Sequence, residues 1–433
     1  FRRKDTGVAT GDASALIPAG QQTVATIFSK AGYNTAVIGK WHLGLGPVGG
    51  PNWNGKIEHG PLDIGFKEAF ILPATGDRVP CVYIENDHVR NLNVQDPIEV
   101  NYLKKIGQQP TGKENPELLK MKHSHGHDNT IVNGVGRIGF MVGGKQALWD
   151  DEDMAQTLAN KAKAYMVRNQ KNPFFLYFCP TLPHNPYHQP DDKTLEYYAK
   201  KTGFPIGDAH SEDFSVPKYA ALTSRLDQEV GEIVAKLKEL NLLDDTLIIF
   251  ASDNGSALTK EEDSYLRTGG DLRGRKSEVY EGGIKSPLIA FWKGKIIPGS
   301  SSNHISAFWD FLPTCAEIAK VKTPDNIDGI SYLPTLLGKT DKQKQHDYLY
   351  WERSQSQAIR KGDMKANFVY DKASQKQNIE IYNLAQDPFE KNNLAETLPE
   401  LKAEFVKLAQ TARVESEIFP LVKKAKKVKV KTH

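Results

Sequence analysis

Apolar positions along the chain follow two patterns, one with the period of a helix and one typical of a buried strand. In residues 218–240 they step by three or four residues, which predicts one face of a helix. The unbroken apolar run TLIIFA follows and predicts a strand. The same helix-then-strand order occurs in residues 19–44 and 150–184. Three such units predict an α/β fold, a mostly parallel central sheet with helices on both faces.

The pattern changes near residue 346. Short alternating stretches separated by turn residues predict a small antiparallel sheet, and LPELKAEFVKLAQTARVES predicts a closing helix. We therefore predict an α/β catalytic domain over residues 1–345 and an α+β subdomain over residues 346–433. Residues 45–150 are rich in Gly, Pro and Asn, and loops of this length are usually functional or disordered.

Composition excludes several classes of protein. The formal net charge of +3 gives no field for nucleic acid, and part of the excess lies in the terminal KKAKKVKVKTH, which we interpret as a solvated end. No apolar run is long enough for a transmembrane segment. Cys81, Cys179 and Cys315 are far apart and show no zinc spacing.

Polar residues follow each predicted strand, where a parallel sheet binds its ligands. The first strand ends in GKWH, so Lys40 and His42 are two residues apart and share a face of extended backbone. The second ends in PTLPHNPYH, which holds His184 and His188 in a proline-stiffened loop suited to a general acid. The alternative for each is a surface lysine or a packed or solvated histidine.

Two further segments carry candidate chemistry. Asp253 and Asn254 supply hard oxygen ligands for Ca²⁺ or Mg²⁺, or they form an Asx turn that closes the strand. Lys276 lies in the basic, glycine-broken LRGRKSEVYEGGIKSP and could bind an anion. In HSHGHD, three alternating histidines favour an exposed loop over a metal site.

Several segments resemble, in order, those of the type I, formylglycine-dependent sulfatases of the alkaline phosphatase superfamily. They cover nearly the whole chain: AGYNTAVIGKWHLG, LPHNP, TLIIFASDNG, LRGRKSEVYEGGIKSP, DFLPTCAEIA with DGISYLPTLLG, IRKGDMKA and IYNLAQDPFEKNNLA. The likeness extends to the arylsulfatase A and N-acetylgalactosamine-6-sulfatase branches. It implies an alkaline phosphatase-like fold, a sulfuric ester hydrolase, and a periplasmic or secreted location.

The resemblance also implies roles for individual residues. Asp253 and Asn254 would bind Ca²⁺, with Mg²⁺ less favoured, and the metal would polarise the sulfate oxygens. The two lysines, Lys40 and Lys276, would pair with the sulfate. The two histidines would act on protons: His184 would protonate the leaving oxygen, and His42 would hydrogen-bond the nucleophile.

The family's nucleophile is a formylglycine hydrate, which a maturation enzyme makes from the first residue of a Cys/Ser-x-Pro/Ala-x-Arg motif. None of the three cysteines begins this motif. We expect the motif to be absent from the 433 residues, and the nucleophile and the family's Asp-Asp metal pair to lie upstream of Phe1.

The long loops resemble those of sulfatases that act on sulfated carbohydrates. The residues predicted to contact the sugar are Asp77, Arg78, His127, Asp128, His188 and Glu352, with loop scaffolding as the alternative for each. The expected substrate is a terminal galactose or N-acetylhexosamine sulfate of a glycan. Two other functions stay open: a phosphoesterase on the same fold, and a non-catalytic binder of sulfated glycans.

Overall fold

A computed structural model describes residues 9–121, 126–187, 192–203, 216–353, 355–371, 373–374, 376–415 and 421. The strands are β1 Asn34–Lys40, β2 Glu68–Leu72, β3 Ile84–Glu85, β4 His88–Val89, β5 Glu99–Asn101, β6 Ile131–Val132, β7 Val135–Gly136, β8 Phe140–Val142, β9 Phe174–Cys179, β10 Ile248–Ala251, β11 Leu288–Phe291, β12 Leu349–Arg353, β13 Ser356–Lys361, β14 Met364–Asp371 and β15 Lys376–Asn383.

The α-helices are α1 Val24–Lys30, α2 Met154–Asn169, α3 Asp192–Thr202, α4 Val216–Glu239, α5 Lys260–Leu266, α6 Glu281–Ile284, α7 Phe311–Ala319, α8 Leu333–Leu336 and α9 Pro399–Thr411. Short 3-10 helices lie at Pro61–Ile64, Pro116–Leu118, Lys145–Ala147, Leu243–Asp245, Phe308–Asp310 and Thr340–Lys342. No helix in these parts of the chain is both long and apolar enough to cross a membrane.

The central sheet has the strand order β4-β3-β2-β1-β9. Its middle is parallel, because β1 pairs in parallel with β2 on one side and with β9 on the other. The short strands β3 and β4 extend the sheet in antiparallel orientation. The predicted mostly parallel core is therefore confirmed.

Both faces of β1 are covered, because its successive side chains point to opposite sides of the sheet. Val37 packs in one apolar core with Ala25 of α1. Ala36 and Ile38 pack in a second core with Leu158 of α2. The two cores confirm that helices lie on both faces of the sheet.

The strand β10 differs from the expectation that all three helix–strand units share one sheet. It pairs antiparallel with β11, with Ile248 opposite Phe291 and Ala251 opposite Leu288. Within the described residues these two strands form a separate two-stranded sheet. An apolar run predicts a buried strand, but it carries no information about which neighbour accepts its hydrogen bonds.

The C-terminal part forms the predicted small antiparallel sheet, with β12 to β15 in sequential order. Helix α9 covers this sheet, and Phe405 packs against Ile359 and Ile381 in a core of its own. The division at residue 345 stays a prediction. The basic residues 423–433 lie outside the described residues.

Truncation of Leu158 tests the core beneath the central sheet. Leu158 is 0% exposed, so Leu158→Ala should lower the free energy of unfolding by about 2–5 kcal/mol through lost burial and a cavity. The matched control is Val167→Ala on the same helix, which is 41% exposed and should change it by less than about 0.5 kcal/mol. Urea unfolding midpoints measure both, and equal losses would contradict the assigned core.

Candidate active site

Lys40 and His42 lie at the carboxyl end of the central strand. Lys40 closes β1 opposite Leu72, and the N–H groups of the next two residues continue the pairing by donating to the carbonyls of Leu72 and Pro73. Gly39 fits this end because a Cβ there would lie 1.9 Å from the carbonyl oxygen of Cys179. Backbone packing, rather than loop flexibility, therefore fixes Lys40.

His42 has a left-handed backbone, with φ of 55°. Its Nε2 lies 2.8 Å from the carbonyl oxygen of Ala9 and donates a hydrogen bond to it. Burial lowers the pKa of His42 to about 4, and the nearby positive charges of Arg78 and Lys40 act in the same direction. The imidazole is therefore neutral at pH 7, with Nδ1 available as an acceptor.

Asp77 is the centre of a buried polar cluster in the turn after β2. Its carboxylate accepts bonds of 2.9 and 3.0 Å from Arg78 Nη1 and one of 2.9 Å from His127 Nε2. Burial alone would raise the pKa of Asp77, but the hydrogen bond from His127 and the charges of Arg78 and His184 outweigh it and hold the pKa below its usual range. Asp77 is therefore ionised at neutral pH.

His184 lies in the loop after β9, the strand next to β1. Its Nδ1–H donates to the carbonyl of Asn185 at 2.8 Å, which orients the ring. Burial lowers the pKa of His184, and the charge of Asp77 opposes this shift. Together with Gly76 and Arg225, His184 and Asn185 line a cleft.

Asp253 and Asn254 follow β10, as predicted. The Asp253 carboxylate is exposed and has no hydrogen-bond partner within the described residues. Asn254 uses its Nδ2 to donate to the carbonyl of Gly255 at 3.2 Å, which leaves Oδ1 without a hydrogen bond in that part of the chain. Within the described residues the two side chains thus present oxygens without a hydrogen-bond donor, of the type that Ca²⁺ prefers, but they are fewer than its usual six to eight.

Lys276 lies beside this turn, where its backbone N–H donates to the carbonyl of Ser256 at 2.8 Å. Burial lowers the pKa of Lys276, whereas the negative charge of Asp253 opposes this shift. The charges of Lys40 and Asp77 also act on Lys276. Lys276 therefore interacts electrostatically with groups at the end of the central sheet.

Some of the predicted site residues interact electrostatically with one another, and the others have less support. The charges of Asp77, Lys276 and Lys40 all act on His184, although these residues come from distant parts of the sequence. Burial of several charged groups in one place is typical of functional sites.

The remainder of the predicted sugar contacts has less support. Glu352 accepts bonds from Arg413 Nε at 2.8 Å and from the Tyr350 hydroxyl at 2.6 Å in the C-terminal sheet. Asp128 lies next to His127, and its carboxylate accepts a bond of 3.4 Å from Asn129. His188, like His123 and His125 of HSHGHD, lies outside the described residues. The roles of Glu352, Asp128 and His188 stay predictions.

The sequence analysis missed two residues of this group. The Asn185 amide lies 3.4 Å from His127 Nε2, so it connects the histidine loop to the Asp77 cluster. Thr75 accepts a bond of 3.0 Å from Arg78 and donates to Asp77. Asn185 follows His184 directly, and that adjacency was the available signal.

The expected absence of the formylglycine motif was wrong as a statement about sequence pattern. Ser356-Gln357-Ala358-Ile359-Arg360 fits Ser-x-Ala-x-Arg. These residues form most of β13, and the Ser356 hydroxyl accepts a bond of 3.3 Å from the N–H of Tyr370 on the neighbouring strand. The match therefore lies in a strand of the C-terminal sheet, whereas Lys40 and His184 lie at the end of the central sheet.

A mostly parallel sheet with lysines and histidines after its strands offers a site of the kind that binds an anionic ligand. The sequence profile of the Sulfatase family matches residues 2–321. A second profile, N-sulphoglucosamine sulphohydrolase, C-terminal, matches residues 275–413. The chain belongs to the sulfatase family and is a sulfuric ester hydrolase.

Relatives and solved structures agree with this assignment. An N-acetylgalactosamine-6-O-sulfatase of Bacteroides thetaiotaomicron is 38% identical over 95% of this chain and 81% of its own length. Human arylsulfatase A is 27% identical over 90% of this chain and 69% of its own length. A structure described with glycosaminoglycan metabolism by Bacteroides thetaiotaomicron has a TM-score of 0.81 at 36% identity, covering 94% of this chain and 85% of its own.

The lowered pKa of His42 makes a prediction about stability and pH. Below pH 6.5 the unfolded chain binds a proton at this residue, whereas the folded chain binds it only near pH 4. The His42 contribution to stability is therefore complete above pH 6.5 and is lost as the pH falls through this window. His42→Gln should lose less stability than wild type between pH 7 and pH 4.5.

Urea midpoints at the two pH values measure this difference. The matched control is His88→Gln, because the His88 side chain is 58% exposed and its replacement should leave the acid-induced loss unchanged. The assignment is contradicted when His42→Gln loses as much stability as wild type.

Proposed function

We propose that the protein hydrolyses a sulfate ester on a carbohydrate, with the 6-O-sulfate of a terminal N-acetylgalactosamine or galactose as the favoured substrate. The observation that carries the proposal is that the charges of Lys40, Lys276 and the ionised Asp77 all act on His184, in the loop after the strand next to β1. The choice of sugar rests on the similarity to an N-acetylgalactosamine-6-O-sulfatase.

In the proposed mechanism two lysines stabilise charge and one histidine transfers a proton. Lys40 and Lys276 bind the sulfate from two segments and stabilise the negative charge that moves during S–O cleavage. His184 protonates the leaving sugar oxygen, because its Nδ1–H is already used by the Asn185 carbonyl and Nε2 is the remaining acid. Burial lowers the pKa of His184, and the negative charge of Asp77 opposes this shift and so favours the protonated form.

The Asp77 cluster is the proposed sugar-binding surface. Arg78 and His127 hold the Asp77 carboxylate through three bonds. Charge-assisted hydrogen bonds of this kind fix the orientation of the donor and of the carboxylate. A sugar hydroxyl would therefore meet donors and acceptors of defined direction. Asp128, His188 and Glu352 are further proposed contacts.

Two groups of the proposal come from the family resemblance. Asp253 and Asn254 would hold Ca²⁺, with Mg²⁺ less favoured, and the bound ion would supply Lewis-acid polarisation of the sulfate oxygens. The nucleophile would be a formylglycine hydrate made by a maturation enzyme, and His42 would hydrogen-bond it through Nδ1. A periplasmic or secreted location belongs to the same proposal.

Turnover of a substrate panel tests the function. The complete protein, co-produced with a formylglycine-generating enzyme, should release sulfate from the 6-O-sulfates of N-acetylgalactosamine or galactose faster than from their 4-O-sulfates. Ion chromatography measures the release, and mass spectrometry confirms the formylglycine. Preference for the matching 6-phosphate would favour the phosphoesterase. Binding of sulfated sugars without turnover by a formylglycine-containing protein would favour the binder.

Replacement of Asp253 tests the metal site. Asp253→Ala should lower kcat/KM by at least about 100-fold, since loss of groups that only support a metal ligand already costs 10–100-fold. It should also abolish the rise in Tm that Ca²⁺ gives the chelator-treated wild type. The control Asp244→Ala removes an exposed carboxylate paired with Lys293 shortly before the same strand, and it should retain both properties. Full activity of Asp253→Ala would exclude this site.

A further inference from the structure

Three charged side chains form a buried cluster between the two parts of the chain. Lys365 of β14 is 0% exposed, and its Nζ lies 2.9 Å from Glu281 Oε1 and 3.0 Å from Glu390 Oε1. Glu390 also accepts bonds of 2.7 Å from the backbone N–H of Glu281 and from Asn367 Nδ2. We name Lys365, Glu281 and Glu390 the lysine clamp.

The clamp holds the segment that carries Lys276. Glu281 begins α6, five residues after Lys276. Within this segment, the N–H of Gly282 donates to the carbonyl of Arg273 at 2.7 Å, which closes residues 273–282 into a loop. Any displacement of Glu281 therefore moves the base of the loop on which Lys276 stands.

The other side of this loop is attached to the same sheet. Arg273 Nη1 donates to the Tyr382 hydroxyl at 2.8 Å and to the carbonyl of Glu390 at 3.1 Å. Its guanidinium lies 4.0 Å from the centre of the Tyr280 ring, whose hydroxyl donates to Glu380 at 2.9 Å. Both ends of the loop are thus held by the C-terminal sheet, with Lys276 between them.

Stability alone is a poor account of such a cluster. Burying three charges carries a large desolvation cost, and apolar residues of similar size often replace buried ion pairs without loss of stability. Glu390 in addition has a left-handed backbone, with φ of 54°, which is unfavourable for this residue type. Charged and directional hydrogen bonds instead fix the relative positions of the side chains that form them.

We propose that the lysine clamp positions Lys276 against the sulfate, so that the C-terminal sheet is part of the catalytic architecture. This inference rests on the proposed function, in which Lys276 binds the sulfate. Lys365, Glu281 and Glu390 are positioning residues, because they reach the site through the loop and not by contact with substrate.

Lys365→Met removes the cation shared by the two buried carboxylates and leaves Glu281 paired with Arg360 at 3.8 Å, so repulsion between Glu281 and Glu390 displaces Glu281. We expect kcat/KM to fall about 100-fold, the effect of a misplacement of roughly 1 Å, with most of the loss in kcat. The matched control is Lys361→Met, because Lys361 ends β13 opposite Met364, next to Lys365 in sequence, and pairs with Glu404 at the surface. That control should keep wild-type kcat and KM.

A double-mutant cycle separates positioning from general destabilisation. In a Lys276→Ala background, Lys365→Met should change kcat/KM by no more than about twofold, because the group through which it acts is gone. In a Lys40→Ala background, the full effect should persist, since Lys40 stands on β1. Equal effects of Lys365→Met in both backgrounds would overturn the proposal.

Two further measurements keep the test decisive when Lys365→Met folds poorly. The variant Lys365→Met/Glu281→Gln/Glu390→Gln removes all three charges of the clamp and should unfold at the wild-type urea midpoint, yet its kcat should be lower by more than about twofold. Hydrogen exchange of residues 273–285 should be faster in it, with β1 unchanged. Wild-type activity and exchange in this variant would overturn the clamp.

The exchange measurement does not depend on turnover. A wild-type protein that hydrolyses none of the sulfated sugars would contradict the proposed function, whereas faster exchange limited to residues 273–285 would still support the clamp.

Discussion

Parallel pairing of β1 with β2 and β9 is the constraint on which the site depends. Because the three strands run in the same direction, the residues that follow each of them emerge at one edge of the sheet. That edge receives Lys40, the Asp77 turn and the His184 loop. The close approach of Gly39 to the Cys179 carbonyl keeps the strands in register at this point. Loss of the pairing would scatter groups that are up to 144 residues apart in sequence.

Burial then sets the charge states of the groups collected there. It lowers the pKa values of His42, His184 and Lys276, because desolvation disfavours a positive charge. Asp77 stays ionised because its partners outweigh the same desolvation. The result is an ionised Asp77 carboxylate close to the positive charge of Arg78, with the charges of Lys40 and Lys276 acting on the neighbouring His184.

The C-terminal sheet supports the segment that carries Lys276. It holds Arg273 and Glu281, which flank Lys276 in sequence. The central sheet fixes one lysine through its backbone, and the second lysine stands on a loop that requires an external support.

The sequence by itself determined the helix and strand periods, the mostly parallel core, the C-terminal antiparallel sheet and the residues at the strand ends, because these depend on local apolar spacing and on short motifs. Only the tertiary structure decided that β10 pairs with β11, that His127 meets Asp77, and that Glu352 pairs with Arg413. These contacts join residues separated by 37 or more positions. Neither period nor motif specifies such partners, since they follow from how the packed layers bring distant loops together.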